Sequence, residues 1–269
     1  MSTVTQPLPA MAHAVTPEPQ RGATVIGRKA FVEMIMGMPI SLHVKAIDPE
    51  RADIAAAAAN AFATLRRVDD LFSMWRADSE LRRLQAGAIT PGECHEWQAE
   101  VLDLTLAAEE ATDGLLTAWF ARAAGRPSYD PTGLVKGWGV EQAAAHLRTV
   151  PGISFCLSAG GDMVVGVGRG MRGIAPTWRI GIEDPRVPGR IAATVELTQG
   201  AVATSGAAAR GAHIVDPGTG ERIARPGSTT IVGPDLMWAD VWATAAYVDP
   251  AAARERLVAT THDYALTVL

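Results

Sequence analysis

The stretch Asp130-Pro-Thr-Gly-Leu-Val-Lys-Gly-Trp-Gly139 sets an acid, a glycine turn and a lysine ahead of what reads as the first turn of a helix. Helix starts attract anions, because their first N–H groups have no intrahelical acceptor and the dipole end is positive. A carboxylate beside such a site suggests a metal ion held against a phosphate. The Gly-x-x-x-x-Gly-Lys-Ser/Thr spacing of a Walker loop is missing.

Four further places carry chemistry. Ser158-Ala-Gly-Gly-Asp162 pairs glycines after a strand, where a backbone can approach a ligand or simply turn. Ala203-Thr-Ser-Gly206 offers two hydroxyls but not the Gly-x-Ser-x-Gly elbow of a serine hydrolase. His213 opens a short strand before Asp-Pro-Gly-Thr-Gly220; it alone of six histidines has other candidate residues beside it, and so is the candidate base. Asp240 and Thr244 lie four apart on one helix face, where a carboxylate and a hydroxyl suit a hard cation such as Mg²⁺ or ordinary helix packing.

The elements that must position these groups differ between the two halves of the chain. Alternation through Ile40, Leu42, Val44 and Ala46 reads as a half-buried strand, with another over Phe31–Met36 before it. Asp48-Pro49 reads as the start of a long amphipathic helix carrying Ile54, Ala58, Ala61, Phe62, Leu65, Val68 and Phe72. Shorter helices follow at Ser79–Gln85 and Trp97–Thr112. Short β-prone runs then dominate from Ile153 to Val232, His213–Val215 among them. Helices over Leu236–Val248 and Pro250–Thr260 and a strand over Tyr264–Val268 close the chain. Strands and helices do not alternate regularly, so the expectation is an α+β fold: a helix-rich first half packed on mainly antiparallel short-stranded sheets. Asp48, Asp53 and Asp69 read as solvated, and Trp97, Trp119 and Trp178 as core, with Trp75 the candidate ligand platform.

Of the 269 residues, 48% are apolar and 20% charged, which places the chain among globular proteins. A net charge of −5 without Lys/Arg blocks argues against nucleic acid. Cys94 and Cys156 cannot make a disulfide framework or a zinc site alone. Residues 1–20, rich in Pro, Thr and Ala, read as a disordered lead-in to one domain over 21–269. No membrane-length apolar run and no signal peptide is evident, so the expected location is cytoplasmic.

In this order the motifs resemble the ApbE family, the FAD:protein FMN transferases. The resemblance runs through Met36-Gly-Met38, Phe72-Ser-Met-Trp75, Ser79-Glu-Leu81, Asp130 to Gly137, Gly160-Gly-Asp162, Thr204-Ser-Gly206, His213 to Gly220, and Asp240 with Thr244. It covers roughly residues 28 to 268, and it rests on joint order rather than on any single motif. It implies that FAD binds with Mg²⁺, Mn²⁺ being the alternative ion. A Thr or Ser hydroxyl of an acceptor protein then takes FMN, and AMP leaves. By position it implies metal ligation by Gly133 (through its carbonyl), Asp240 and Thr244. It implies FAD contacts from Met36, Ser73, Trp75, Asp130, Lys136, Thr204, Ser205 and Ile214, with His213 as the base.

The chain also departs from the family pattern. Thr117 stands where the family has an acid, the segment from there to Asp130 is short, Pro131-Thr132 replaces Leu-Gly, and Trp75 replaces a tyrosine. These departures keep two alternatives open: a Mg²⁺-dependent FAD pyrophosphatase, and a flavin-binding module without catalysis.

Overall fold

The alternating run before Ile47 folds as a hairpin. In the computed structural model, which describes residues 26–120, 128–171, 175–208 and 211–269, β1 (Gly27–Ile35) pairs antiparallel with β2 (Met38–Ala46). The turn between them is Met36-Gly37, with φ of 54° and 70°. Two left-handed residues give a turn whose twist matches that of the flanking strands. Met36 is therefore a turn residue, half-buried and packed against both main apolar clusters, just beyond Ile35, where the strand expected over Phe31–Met36 ends. The lead-in expected over residues 1–20 lies outside the described residues.

Helix α1 (Ala52–Phe72) buries Ile54, Ala58, Ala61, Phe62, Leu65, Val68 and Phe72, the three-and-four series that marked it. Its start departs from expectation. The Asp48 carboxylate accepts from the Glu50 N–H at 3.0 Å, a local turn that competes with helix, and Arg51 becomes the N-cap. Asp69 is also not fully solvated: Arg76 lies 3.8 Å away, and partial burial pushes its carboxyl pKa upward. Helix α2 (Glu80–Gln85) is capped by Ser79, whose Oγ accepts from the Arg82 N–H. Helix α3 (Trp97–Ala111) follows, and then the two-stranded pair β3 (Trp119–Phe120) and β4 (Ser128–Tyr129). Trp119 is 41% exposed rather than core, because its ring lies on Tyr129 at the surface.

After α4 (Thr132–Arg148), the sheet is completed by β5 (Ser154–Ala159), β6 (Asp162–Val167), β9 (Gly200–Gly206), β10 (Ser228–Gly233) and β11 (Ala265–Val268). Its seven strands run β1-β2-β5-β6-β9-β10-β11, every neighbour antiparallel. One face carries Leu42, Leu157, Val164, Ala203 and Ile231 and packs under α1, α4 and α5 (Leu236–Val248). The hairpin of β7 (Trp178–Glu183) and β8 (Ile191–Leu197) brings Trp178 and Ile180 against Cys156, Val165 and Val202 on the other face. Helix α6 (Pro250–Thr260) starts at Asp249, whose side chain accepts from the N–H groups of Ala251 and Ala252. The strand expected at His213–Val215 is reduced to one bridge, Val215↔Arg222, because this connection closes on an Asp216 turn.

The β5–β6 turn sets the position of an acid beneath the helices. Gly160 and Gly161 have φ of 60° and 99° and close the ladder at Ala159↔Asp162, which places Asp162 at the first position of β6 on the helix-covered face. Gly161→Ala forces a side chain into that backbone region, and the expected loss is about 1–3 kcal/mol in urea unfolding. A change within about 0.5 kcal/mol, ordinary for a neutral substitution, would show that the turn does not depend on glycine.

Candidate active site

Helices α4 and α5 cross at a glycine. A Cβ on Gly137 would stand 2.9 Å from Met237 Cα, 3.0 Å from the Leu236 carbonyl oxygen and 3.1 Å from Asp240 Cβ. One turn further along α4, the Glu141 carboxylate accepts from the Leu236 N–H at 2.8 Å, while Asp235 caps the same helix end through the Trp238 N–H at 3.0 Å. The crossing is therefore anchored by shape and by hydrogen bonds. Trp138 locks the other side of α4, edge-on to Phe72 and Trp97, with its indole N–H donating to Glu100 at 3.0 Å.

This crossing brings Lys136 and Asp240 together, with Lys136 Nζ 3.3 Å from Asp240 Oδ1. The same ammonium donates at closer range to Asp162 Oδ2 from the sheet below. Asp162 and Asp240 are 1% and 3% exposed. Burial makes two carboxylates beside one ammonium costly unless positive charge and donors reach them. Asp162 is fastened by its other oxygen, which accepts the Thr204 N–H at 2.9 Å. One turn beyond Asp240, the Thr244 hydroxyl lies 3.1 Å from Ser205 Oγ. Thr229 ties α5 to β10 through the Ala243 carbonyl at 2.7 Å.

The structure thus joins Lys136, Asp240, Thr244 and Ser205, as well as Asp162 and Gly137, which the sequence motifs contain but to which they assign no role. Neighbouring residues of a strand point to opposite faces. Ser205 accordingly faces α5, while the Thr204 hydroxyl pairs with Thr230 at 2.9 Å on the far face, so that only the Thr204 backbone reaches the cluster. Gly133 lies within α4 and is exposed; no separate glycine turn precedes the helix, which starts at Thr132. A helical carbonyl points along the axis to the residue four on, so a cation at Gly133 would meet the second lone pair of its oxygen. Asp130 is a helix-start residue: its Oδ1 accepts from both the N–H and the hydroxyl of Thr132, at 3.0 and 2.6 Å.

The remaining candidates surround this cluster. Ser73 is buried, and its Oγ accepts from the backbone N–H groups of Trp75 and Arg76, which shapes the loop that leaves Trp75 95% exposed. Gln85 donates to the Tyr129 carbonyl at 2.6 Å and to Met74 Sδ at 3.8 Å, tying that loop to the strand before Asp130. His213 is exposed on the β9–β10 connection, with Nδ1 2.9 Å from the Gly211 carbonyl. A carbonyl only accepts, so Nδ1 carries a hydrogen, and in the neutral ring Nε2 is then the acceptor. Ile214 is buried beside it. Thr117 donates to the Glu109 carboxylate at 3.0 Å, which brings an acid next to the position where the motif has none.

Among the described residues, no group of three or more His, Cys, Asp or Glu has the placement of a metal cage. The donors at the crossing are instead carboxylate, hydroxyl and backbone oxygens. This set fits Mg²⁺, which is held by one or two carboxylates plus substrate phosphates rather than by an all-protein cage.

The fold is that of flavin transferases with solved structures. It matches an ApbE protein of Thermotoga maritima at TM-score 0.70 and 19% identity, over 90% of this chain and 94% of that one. It matches the flavin transferase ApbE of Vibrio cholerae at TM-score 0.68 and 20% identity, over 91% and 97%. The chain belongs to the ApbE family, whose model matches residues 36–124 and 118–268. A FAD:protein FMN transferase of Klebsiella pneumoniae is 27% identical across 86% of this chain and 80% of its own length. One of Vibrio cholerae is 33% identical over a shorter stretch, 43% of this chain and 36% of that protein.

Because the neighbours of Gly137 are backbone atoms of α5, a methyl group there must push the helices apart. Gly137→Ala is expected to lower stability by about 1–3 kcal/mol, the range for overpacking, in denaturant unfolding. Wild-type stability in this variant would show that the helices do not meet at Gly137.

Proposed function

We propose that this chain transfers FMN from FAD to a Thr or Ser hydroxyl of an acceptor flavoprotein and releases AMP, in the presence of Mg²⁺ or Mn²⁺. The observation that carries the reading is the contact of Lys136 with the buried Asp240, one turn from Thr244, at the α4–α5 crossing, in a chain of the ApbE family. Asp240 and Thr244, with the Gly133 carbonyl, are the groups that would hold the cation. A divalent cation held there would neutralise charge on the pyrophosphate. Lys136 adds a second positive charge on the same side. Trp75, exposed on its loop, offers a flat apolar face to the flavin ring. Met36, Ser73, Asp130, Thr204, Ser205 and Ile214 complete the proposed FAD contacts.

In the proposed step, His213 Nε2 takes the proton of the acceptor hydroxyl. That oxygen bonds to the phosphorus on the FMN side, the pyrophosphate P–O bond breaks, and its electron pair leaves with AMP. Such transfer depends on positioning and charge neutralisation more than on covalent help from the protein. The exposure of His213 favours a second outcome at the same site, in which water replaces the acceptor hydroxyl and FAD is hydrolysed to FMN and AMP.

Incubation with FAD and Mg²⁺, with and without an FMN-binding acceptor domain, separates the readings. Fluorescent labelling of the acceptor supports transfer, AMP release without labelling supports hydrolysis, and tight FAD binding without AMP release supports a non-catalytic module. Asp240→Ala is expected to lower Mg²⁺-dependent AMP release by about 100-fold or more; unchanged activity would remove Asp240 from the site. His213→Ala should retain FAD binding while transfer falls by about 10²-fold or more, as expected for loss of a general base. Equal transfer by this variant would assign the proton to another group.

A further inference from the structure

Asp162 stands between two jobs. Its Oδ1 is committed to the Thr204 N–H at 2.9 Å, and its Oδ2 takes the Lys136 ammonium. Lys136 also reaches Asp240 Oδ1, but at 3.3 Å. The attraction of one ammonium for two carboxylates falls with distance and is strong in a buried setting. Asp162 cannot drift toward the helices, since the Gly160-Gly161 turn and the β6–β9 ladder hold its backbone.

We propose that Asp162 is a positioning residue that shares the Lys136 ammonium with Asp240 and so weakens the ammonium's hold on Asp240, where a divalent cation would bind. The inference rests on the proposed metal site at Asp240 and Thr244. Without Asp162, the Lys136 ammonium is drawn onto Asp240, and the ammonium and the cation then compete for the same oxygens. With Asp162 in place, the ammonium is held toward the strand side and its hold on Asp240 is weaker. The two carboxylates are then not redundant, although both touch one lysine.

The test uses the full-length protein without flavin and Mn²⁺ as the probe, with free ion followed by electron paramagnetic resonance and the fold checked by circular dichroism. Asp162→Asn keeps an oxygen for the Thr204 N–H and removes the charge; it is expected to weaken Mn²⁺ binding about tenfold or more. Lys136→Met removes the competitor and should bind Mn²⁺ at least as tightly as wild type. The double variant should return to within about threefold of Lys136→Met, a rescue that a purely structural role of Asp162 would not produce. Wild-type affinity in Asp162→Asn would overturn the inference, and so would a double variant as weak as Asp162→Asn, which would make Asp162 a ligand. Weaker binding by Lys136→Met alone would also overturn it, and this arm holds even where Asp162→Asn fails to fold. A wild-type protein that binds no Mn²⁺, or an Asp240→Ala variant that binds it equally well, would instead remove the metal reading, and the inference with it.

Discussion

The close crossing of α4 and α5 is the constraint on which the rest of the molecule depends. Only hydrogen occupies the space on Gly137 that faces Met237 and Asp240. Interior packing leaves little slack, so a single methyl group would decide how near Lys136 comes to Asp240. The polar bonds agree with the shape, because Glu141 of α4 satisfies an amide at the open start of α5. Steric fit and capping specify the same geometry from opposite ends of the contact.

Beneath the crossing, the sheet supplies what helices alone could not. A strand presents every second residue to one face, and here that face delivers Asp162, Ser205 and Thr229 to the helices while Thr204 and Val202 turn away. Asp162 and Asp240 are nearly inaccessible to solvent, yet each meets the lysine, and Asp162 also meets an amide. Buried carboxylates are stable only with such partners. The chain thus spends fold stability to hold charge in one place, which is the usual character of a site that must act on phosphates.

Much of the architecture was legible in the residues. The three-and-four spacing in α1, the helix over Pro250–Thr260 and the glycine-separated β-runs other than His213–Val215 became the elements they implied. Motif order also named Lys136, Asp240, Thr244 and Ser205, which the fold brings together as two contacts, Lys136 with Asp240 and Ser205 with Thr244. The rest depended on tertiary neighbours that no local pattern carries. Nothing in Lys-Gly-Trp says that the glycine faces another helix's backbone, and nothing in Gly-Gly-Asp says that the acid meets a lysine on α4. Asp48 looked like a helix cap but closed a local turn, and Trp119 looked like core but lies at the surface on Tyr129. The opposed faces of Thr204 and Ser205 follow from strand alternation once the strand is known; the motif treats them as one unit.

The order of the sheet has a bearing on when the protein becomes competent. Lys136 and Asp162 belong to the middle of the chain, but Asp240 and Thr244 lie on α5, after all but one strand of the main sheet. Domains fold as units as they leave the ribosome, and contacts distant in sequence are the slow ones to form. The Lys136–Asp162 contact spans 26 residues of chain, whereas Asp240 comes from far beyond it. The second carboxylate joins the cluster only when α5 docks on β9 and β10. Until that docking the charge cluster is incomplete, so its assembly depends on the long-range packing of the domain.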